Sequence, residues 1–296
     1  VILLLAVGGV FAWVNSRIIH VDALSGAAPT SGETYLITGS DSRDGWKDDG
    51  TVGERTDTIM LLHKPETGPV ALISIPRDSY VEIPGHDDNK INAAFAFGGP
   101  QLLVLTVENL TGLTVDHYLE VGFTGVIEIV DAVGGVELCY DRDVDDKNSH
   151  LEWEAGCHLA DGYTTLAFSR MRYADPIGDI GRTQRQQQVV GAVASEVLSP
   201  ATLLNPVKAY RVADAGLDSF RVDRDSGVLD LTRMALALRS GLGGQAVTGT
   251  PPLVDLGYNV PGVGSTVRLH EESLAQFWSD IATGAFEPGA EVGGVG

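Results

Sequence analysis

His117–Tyr140, HYLEVGFTGVIEIVDAVGGVELCY, reads as strand, helix and strand in direct succession. His117–Val121 has the length and apolar content of a strand, and Phe123–Val133 carries its apolar residues at helical spacing. Gly134-Gly135 stops the helix before Val136–Tyr140 resumes as strand. A chain that alternates in this way builds a layered α/β fold. The alternation extends outward in both directions. Tyr35–Gly39 (YLITG) and Thr58–His63 (TIMLLH) are short apolar runs bounded by turn residues, as buried strands are. Val70–Ile75 (VALISI) follows the turn Pro65-Glu66-Thr67-Gly68-Pro69, so it and Thr58–His63 read as an antiparallel hairpin.

Lys90–Phe97 and Pro100–Thr111 read as two helices, the second opened by Pro100 and stopped by Gly112. Gly181 precedes a helical pattern that runs to Leu198 with Val189, Val193 and Val197 on one stripe. Asp225–Leu242 and Glu271–Ala282 read as amphipathic helices, with a Pro/Gly-rich strand region, Thr250–Pro261, between them. The expected fold is α/β, a three-layer α-β-α sandwich with a central mixed sheet. No repeat or boundary divides residues 33–285, which are expected to form one domain, and residues 286–296 have the composition of a disordered tail.

The chain carries 20 Lys+Arg against 40 Asp+Glu, a formal net charge of −20. That excludes the broad cationic surface which nucleic acid requires, and a polybasic membrane patch. Residues 1–14 (VILLLAVGGVFAWV) are nonetheless uncharged and apolar, with Trp13 at the polar end where interfacial aromatics are favoured. The run is shorter than the ~20 residues of a spanning helix. Residues 1–20 are therefore expected to be a truncated transmembrane anchor, and residues 21–32 a small, polar linker. A signal-peptide core or a buried helix fits the same pattern. Cys139 and Cys157 lack the CxxC spacing of a metal site. Outside the cytoplasm they would pair as a disulfide; the alternative is two unpaired core thiols.

The few arginines are concentrated in short motifs: Arg43 in GSDSR, Arg55 in ERTDT, Arg77 in SIPRD, Arg170 and Arg172 in AFSRMRY, Arg182 and Arg185 in GDIGRTQRQ. Guanidinium grips phosphate oxygens in a bidentate manner, so this clustering points to one small, highly charged anion. Asp41 and Asp57 sit at strand edges where two carboxylates can share a hard divalent cation, or where each simply caps a turn. Pro76 gives Arg77 a rigid exit from its strand, and Lys90-Ile91-Asn92 offers a cation at a helix start. Arg170 and Arg172 share a face only in an extended segment. Arg182, Arg185 and Gln186 fall at i, i+3 and i+4, in what reads as the first turn of a helix, where arginine opposes the dipole unless an anion is bound.

Taken in order, GSDSR, ERTDT, SIPRD, KIN, AFSRMRY and GDIGRTQRQ resemble the motifs of the LytR–CpsA–Psr family of bacterial cell-envelope enzymes, over about Glu33 to Leu198 and onward to Ala282. The resemblance implies a single-pass membrane protein with an extracytoplasmic catalytic domain. It implies Mg²⁺ (or Mn²⁺) on Asp41 and Asp57, with pyrophosphate on Arg77, Lys90, Arg170, Arg172, Arg182, Arg185 and Gln186. Arg77, Asp57 and Arg182 would carry catalysis. The implied reaction transfers a phospho-glycan from a polyprenyl-pyrophosphate donor to a peptidoglycan acceptor. A pyrophosphatase, and a non-catalytic binder of lipid phosphates or glycans, are the alternative expectations. The insert 44–54 and the loop between Cys139 and Cys157 lie outside the motifs.

Overall fold

The computed structural model describes residues 13, 15–40, 56–171, 175, 178–240 and 244–295. They fall into two compact units: Asp22–Glu120 with Ala237–Gly296, and Val1–Val21 with Val121–Leu236. The fold is the expected α/β type, a mixed sheet flanked by helices.

In the first unit the strand Glu33–Ser40 runs antiparallel to Thr56–Lys64, which is antiparallel to Ala71–Ser74. Ala71–Ser74 pairs in parallel with Val247–Val260, and Gly264–Leu269 adds antiparallel to that strand. Leu61 and Leu62 are both fully buried, as are Leu72 and Ile73. Neighbouring strand residues point to opposite faces, so both faces of this sheet are covered. The helices Ile91–Thr111 and Glu271–Thr283 pack on it. Ile91–Thr111 breaks at Gly98 and Gly99, whose backbone is non-helical, which is why the sequence reads as two helices with Pro100 opening the second. Among the described residues this is the one helix long and apolar enough to cross a membrane. Leu103, Val104 and Val107 are nevertheless fully buried, so its apolar side is core.

The linker residues Ala28 and Thr30 tie back to Thr114 through hydrogen bonds of 2.7 and 3.1 Å. The expectation of a disordered tail is corrected: Glu291–Val295 pairs in parallel with Val247–Val260. Backbone pairing does not need apolar side chains, and at Gly293, with φ +74°, a Cβ would strike the carbonyl of Thr250. The glycines that suggested disorder permit this close docking.

His63 is wholly buried in this unit. Its Nδ1 lies 3.0 Å from Thr34 Oγ1 and its Nε2 lies 3.3 Å from the Ala282 carbonyl, an arrangement suited to a neutral ring. Burial holds its pKa below 6.5, opposed by the Ala282 bond and by Asp116. Between 6.5 and the lowered folded value, the unfolded chain binds a proton that the folded chain refuses. Stability therefore falls as pH drops through that window, by up to about 1.4 kcal/mol per pH unit. Thermal melts across that range check this, with His63→Gln expected to flatten that part of the profile.

In the second unit Phe123–Val133 is helical with the bounds read from sequence, closed by Gly134 in a left-handed conformation. Val136–Tyr140 pairs antiparallel with Gly156–Ala160, and Val144–Asp146 with Leu151–Trp153 inside that loop. Leu138, Leu151 and Trp153 form a core with Phe168 and Val189. Ile129, Val130 and Val133 are also buried, so this helix, too, is core. Cys139 stands directly opposite Cys157 and the two form a disulfide. Reduction, or Cys139→Ser with Cys157→Ser, is expected to cost about 3 kcal/mol. Calorimetry with and without reductant measures it, as a loss of several degrees in Tm.

Candidate functional site

The first group of site residues is fixed by strand register. Met60 pairs with Ser74 and Leu61 with Ile73, and Ile75 N–H donates to the Ile59 carbonyl at 2.8 Å. Continuing that register past the strand end sets Asp57 opposite Arg77. The Arg77 guanidinium forms an ion pair with the Asp57 carboxylate there. A tight turn holds the arginine, with Ser79 N–H donating to the Pro76 carbonyl at 2.9 Å. The start of the helix Ile91–Thr111 is anchored to the same turn: Ile91 N–H reaches the Ser79 carbonyl at 2.8 Å, and Asn92 N–H the Arg77 carbonyl at 3.2 Å. Lys90 is thereby delivered to Asp78, Nζ to Oδ1 at 2.9 Å, while Arg77 Nε lies 3.5 Å from Asp78 Oδ2.

Two cations and two carboxylates thus form one chain, Asp57–Arg77–Asp78–Lys90, with side chains 18–28% exposed. The described group is close to neutral, so an anion must compete with carboxylates for the guanidinium. A pyrophosphate, with more charge and more acceptor oxygens than one carboxylate, is suited to that exchange. Within SIPRD Asp78 carries no signal of its own; its place between the two cations depends on the turn and helix meeting, which no local pattern signals.

A second buried polar chain lies at the end of Glu33–Ser40. Thr38 Oγ1 donates to Tyr118 Oη at 2.9 Å, and Tyr118 Oη donates to Glu120 at 3.2 Å. Ser40 Oγ donates to the same carboxylate at 2.7 Å. Glu120 is only 2% exposed, and a glutamate inside an otherwise apolar strand is the signal that could have marked it. Ser40 pairs with Thr56, next to Asp57.

In the second unit the arginine motifs need correction. The helix spans Gly178–Val197, so Arg182 and Gln186 lie beyond its first turn and the argument from the helix terminus loses force. Arg182 and Gln186 share one face at i, i+4, both half-buried. Arg185 turns inward. It is 4% exposed, paired with the buried Asp175, and donates Nε to the Phe168 carbonyl at 3.2 Å as well as a terminal nitrogen to the Met171 carbonyl. Those contacts commit its guanidinium to the interior, so its assignment to pyrophosphate is withdrawn. Gly181 explains the motif differently: a Cβ there would collide with the Asp175 carboxylate, so glycine admits the Asp175–Arg185 pair against the helix.

Arg170 is the last residue of the helix Gly162–Arg170, capped at its start by Asp161, whose carboxylate accepts from Thr164 N–H at 2.8 Å. That bond holds the Asp161 pKa below its ordinary value. AFSRMRY is helical through Arg170, whose guanidinium lies 5.0 Å from the Phe123 ring centroid, and leaves the helix at Met171. Beside Cys139, Tyr140 and Gln188 lies a cavity of about 630 Å³. Burial raises the Tyr140 phenol above its usual range, with the Asp175 charge adding to it. Asp41, Arg43, Arg55 and Arg172 lie outside the described residues, as does most of the N-terminal apolar run.

Among the described residues no three His, Cys, Asp or Glu side chains converge as a protein-only metal cage. Asp57 presents one carboxylate, paired with Arg77, and a single carboxylate of this kind is compatible with Mg²⁺, which takes one or two carboxylates and completes its shell with water and phosphate oxygens.

The LytR_cpsA_psr family profile matches residues 15–246. The chain is 43% identical over 274 residues to a Corynebacterium glutamicum protein named probable cell wall biosynthesis protein LcpB, covering 88% of this chain and 65% of that one. It is 36% identical over 252 residues to a polyisoprenyl-teichoic acid–peptidoglycan teichoic acid transferase TagU of Enterococcus faecalis, covering 84% and 78%. The chain thus spans about two thirds of the length of the first of these relatives. Its fold is that of a LytR-Csp2A-Psr enzyme from Actinomyces oris, with TM-score 0.70, 22% identity, and coverage of 90% of this chain and 96% of that one.

Proposed function

The chain belongs to the LytR–CpsA–Psr family, and on that premise we propose that it transfers a phospho-glycan from a polyprenyl-pyrophosphate carrier onto peptidoglycan. The observation that carries this reading is the Asp57–Arg77–Asp78–Lys90 chain, two cations fixed on a turn and a helix start, next to the strand end that leads to Asp41. The name of the Enterococcus faecalis relative supports the reaction class.

An acceptor sugar hydroxyl, in this reading the muramic acid 6-OH, attacks the phosphorus nearest the glycan. A new P–O bond forms and the bond to polyprenyl phosphate breaks, leaving a phosphodiester. Such transfers need positioning and charge neutralisation more than covalent help. Arg77 and Lys90 bind the pyrophosphate, with Arg170, Arg172, Arg182 and Gln186 as its further ligands. Asp57 or Asp41 accepts the hydroxyl proton. Mg²⁺, or Mn²⁺ in its place, on Asp57 and Asp41 supplies additional positive charge when bound. The apolar N-terminal run and the disulfide support a single-pass membrane protein whose catalytic domain lies outside the cytoplasm.

Chelation tests the metal. EDTA is expected to abolish transfer from a lipid-linked donor, and Mg²⁺ or Mn²⁺ to restore it. Full turnover in EDTA would remove the metal from the reading and leave the arginines.

A further inference from the structure

We infer that Leu203, Leu204, Val207 and Tyr210 form a face that seats in the headgroup region of a lipid bilayer. The inference rests on the membrane-anchored reading above and adds to it a second contact with lipid.

Local sequence builds the face. Ser199 caps the short helix Pro200–Leu203 through Thr202 N–H at 3.2 Å. Asn205 caps Pro206–Ser219, its Oδ1 accepting from Val207 N–H at 3.1 Å and Lys208 N–H at 3.2 Å. The two caps force a bend, and the residues at the bend are leucines where a solvent-facing turn would carry polar ones. Leu203 is 58% exposed and Leu204 82%. Val207 and Tyr210, 60% and 55% exposed, follow at i, i+3 on the second helix. Four large apolar side chains within eight residues make a patch, unlike the scattered exposed apolar residues that any surface carries.

Two independent observations name lipid as the occupant. The patch is continuous with the end of the apolar N-terminal run: the Trp13 ring stacks on Tyr210 at 5.6 Å, and the Arg17 guanidinium lies 5.6 Å from the Trp13 centroid. Paired aromatics with a nearby cation, placed where an apolar run ends, match the bilayer interface. Charge agrees. In a chain of net charge −20, residues 197–213 contain Lys208 and the exposed Arg211 and no Asp or Glu, while Asp214, just beyond them, is paired with Arg17 at 3.3 Å. The patch is far from polybasic, but its stretch adds no acid of its own to repel anionic headgroups. A helix face of this kind buries about 5–10 Å into the headgroup and acyl boundary.

The test uses the full chain in vesicles of phosphatidylcholine and phosphatidylglycerol, with the disulfide oxidised. A single cysteine replaces Leu204, or Leu5 in the N-terminal run, or Asn148 in the loop closed by the disulfide. Each is labelled with an environment-sensitive fluorophore and quenched by spin-labelled lipid. The expected result is a blue shift and roughly twofold quenching at 204 from shallow spin labels, quenching at 5 from deep ones, and no change at 148. Quenching at 5 without quenching at 204 overturns the inference and leaves the membrane anchor standing. Quenching at 204 alone upholds the inference and removes the anchor. Quenching at neither overturns both. A blue shift at 204 without lipid quenching assigns the patch to a protein partner and also overturns the inference.

Discussion

Arg77→Ala is expected to lower glycan transfer by about 10²–10³-fold, the loss typical of removing one preorganised donor from a charged transition state. The folded protein should barely register the change. The Arg77 side chain is about one quarter exposed, its partners Asp57 and Asp78 are also partly solvated, and such pairs add little stability. Arg77→Lys should not restore the rate, because a point charge cannot hold two phosphate oxygens in a fork as guanidinium does. Steady-state rates against donor concentration, with melting curves on the same samples, check both halves. A variant that turns over normally but melts early would make Arg77 a structural ion-pair partner.

Arg185→Ala is expected to do the reverse: to cost about 3–5 kcal/mol by removing the guanidinium from a buried carboxylate. At ~2–4 °C per kcal/mol for a unit of this size, Tm falls by roughly 10 °C. The Asp175 side chain is 3% exposed, and the Phe168 and Met171 carbonyls each lose a donor. Measured without any donor, that loss separates a structural role from a phosphate-binding one. An unchanged Tm with weakened donor binding would return Arg185 to the pyrophosphate set.

The contrast between these two arginines marks how far the sequence could be read. Both sit in short motifs that contain an aspartate, and the sequence pattern points both to phosphate. Elements with strong local punctuation were legible: Gly134-Gly135 closes Phe123–Val133 at the expected residue, and Pro65 to Pro69 turns the hairpin as expected. The inward turn of Arg185 was not legible, because it depends on a buried pairing with Asp175, ten residues before it, which no local pattern signals. Gly181 carried a trace of that contact but reads equally well as a helix entrance, and the helix begins three residues earlier. The union of Asp57 with Arg77 is likewise a product of strand register, twenty residues apart in sequence. Glycine-rich composition misled at the tail, since Gly293 serves backbone approach and not disorder.

The central claim is that phosphorus moves with the glycan onto peptidoglycan. A polyprenyl-pyrophosphate glycan carrying labelled phosphorus only at the position next to the sugar, incubated with the protein, Mg²⁺ and peptidoglycan, tests it most directly. The label is predicted to end in a phosphodiester on the peptidoglycan, with unlabelled polyprenyl phosphate released. Label recovered as free phospho-glycan while acceptor is present, or retained on the lipid, would contradict it.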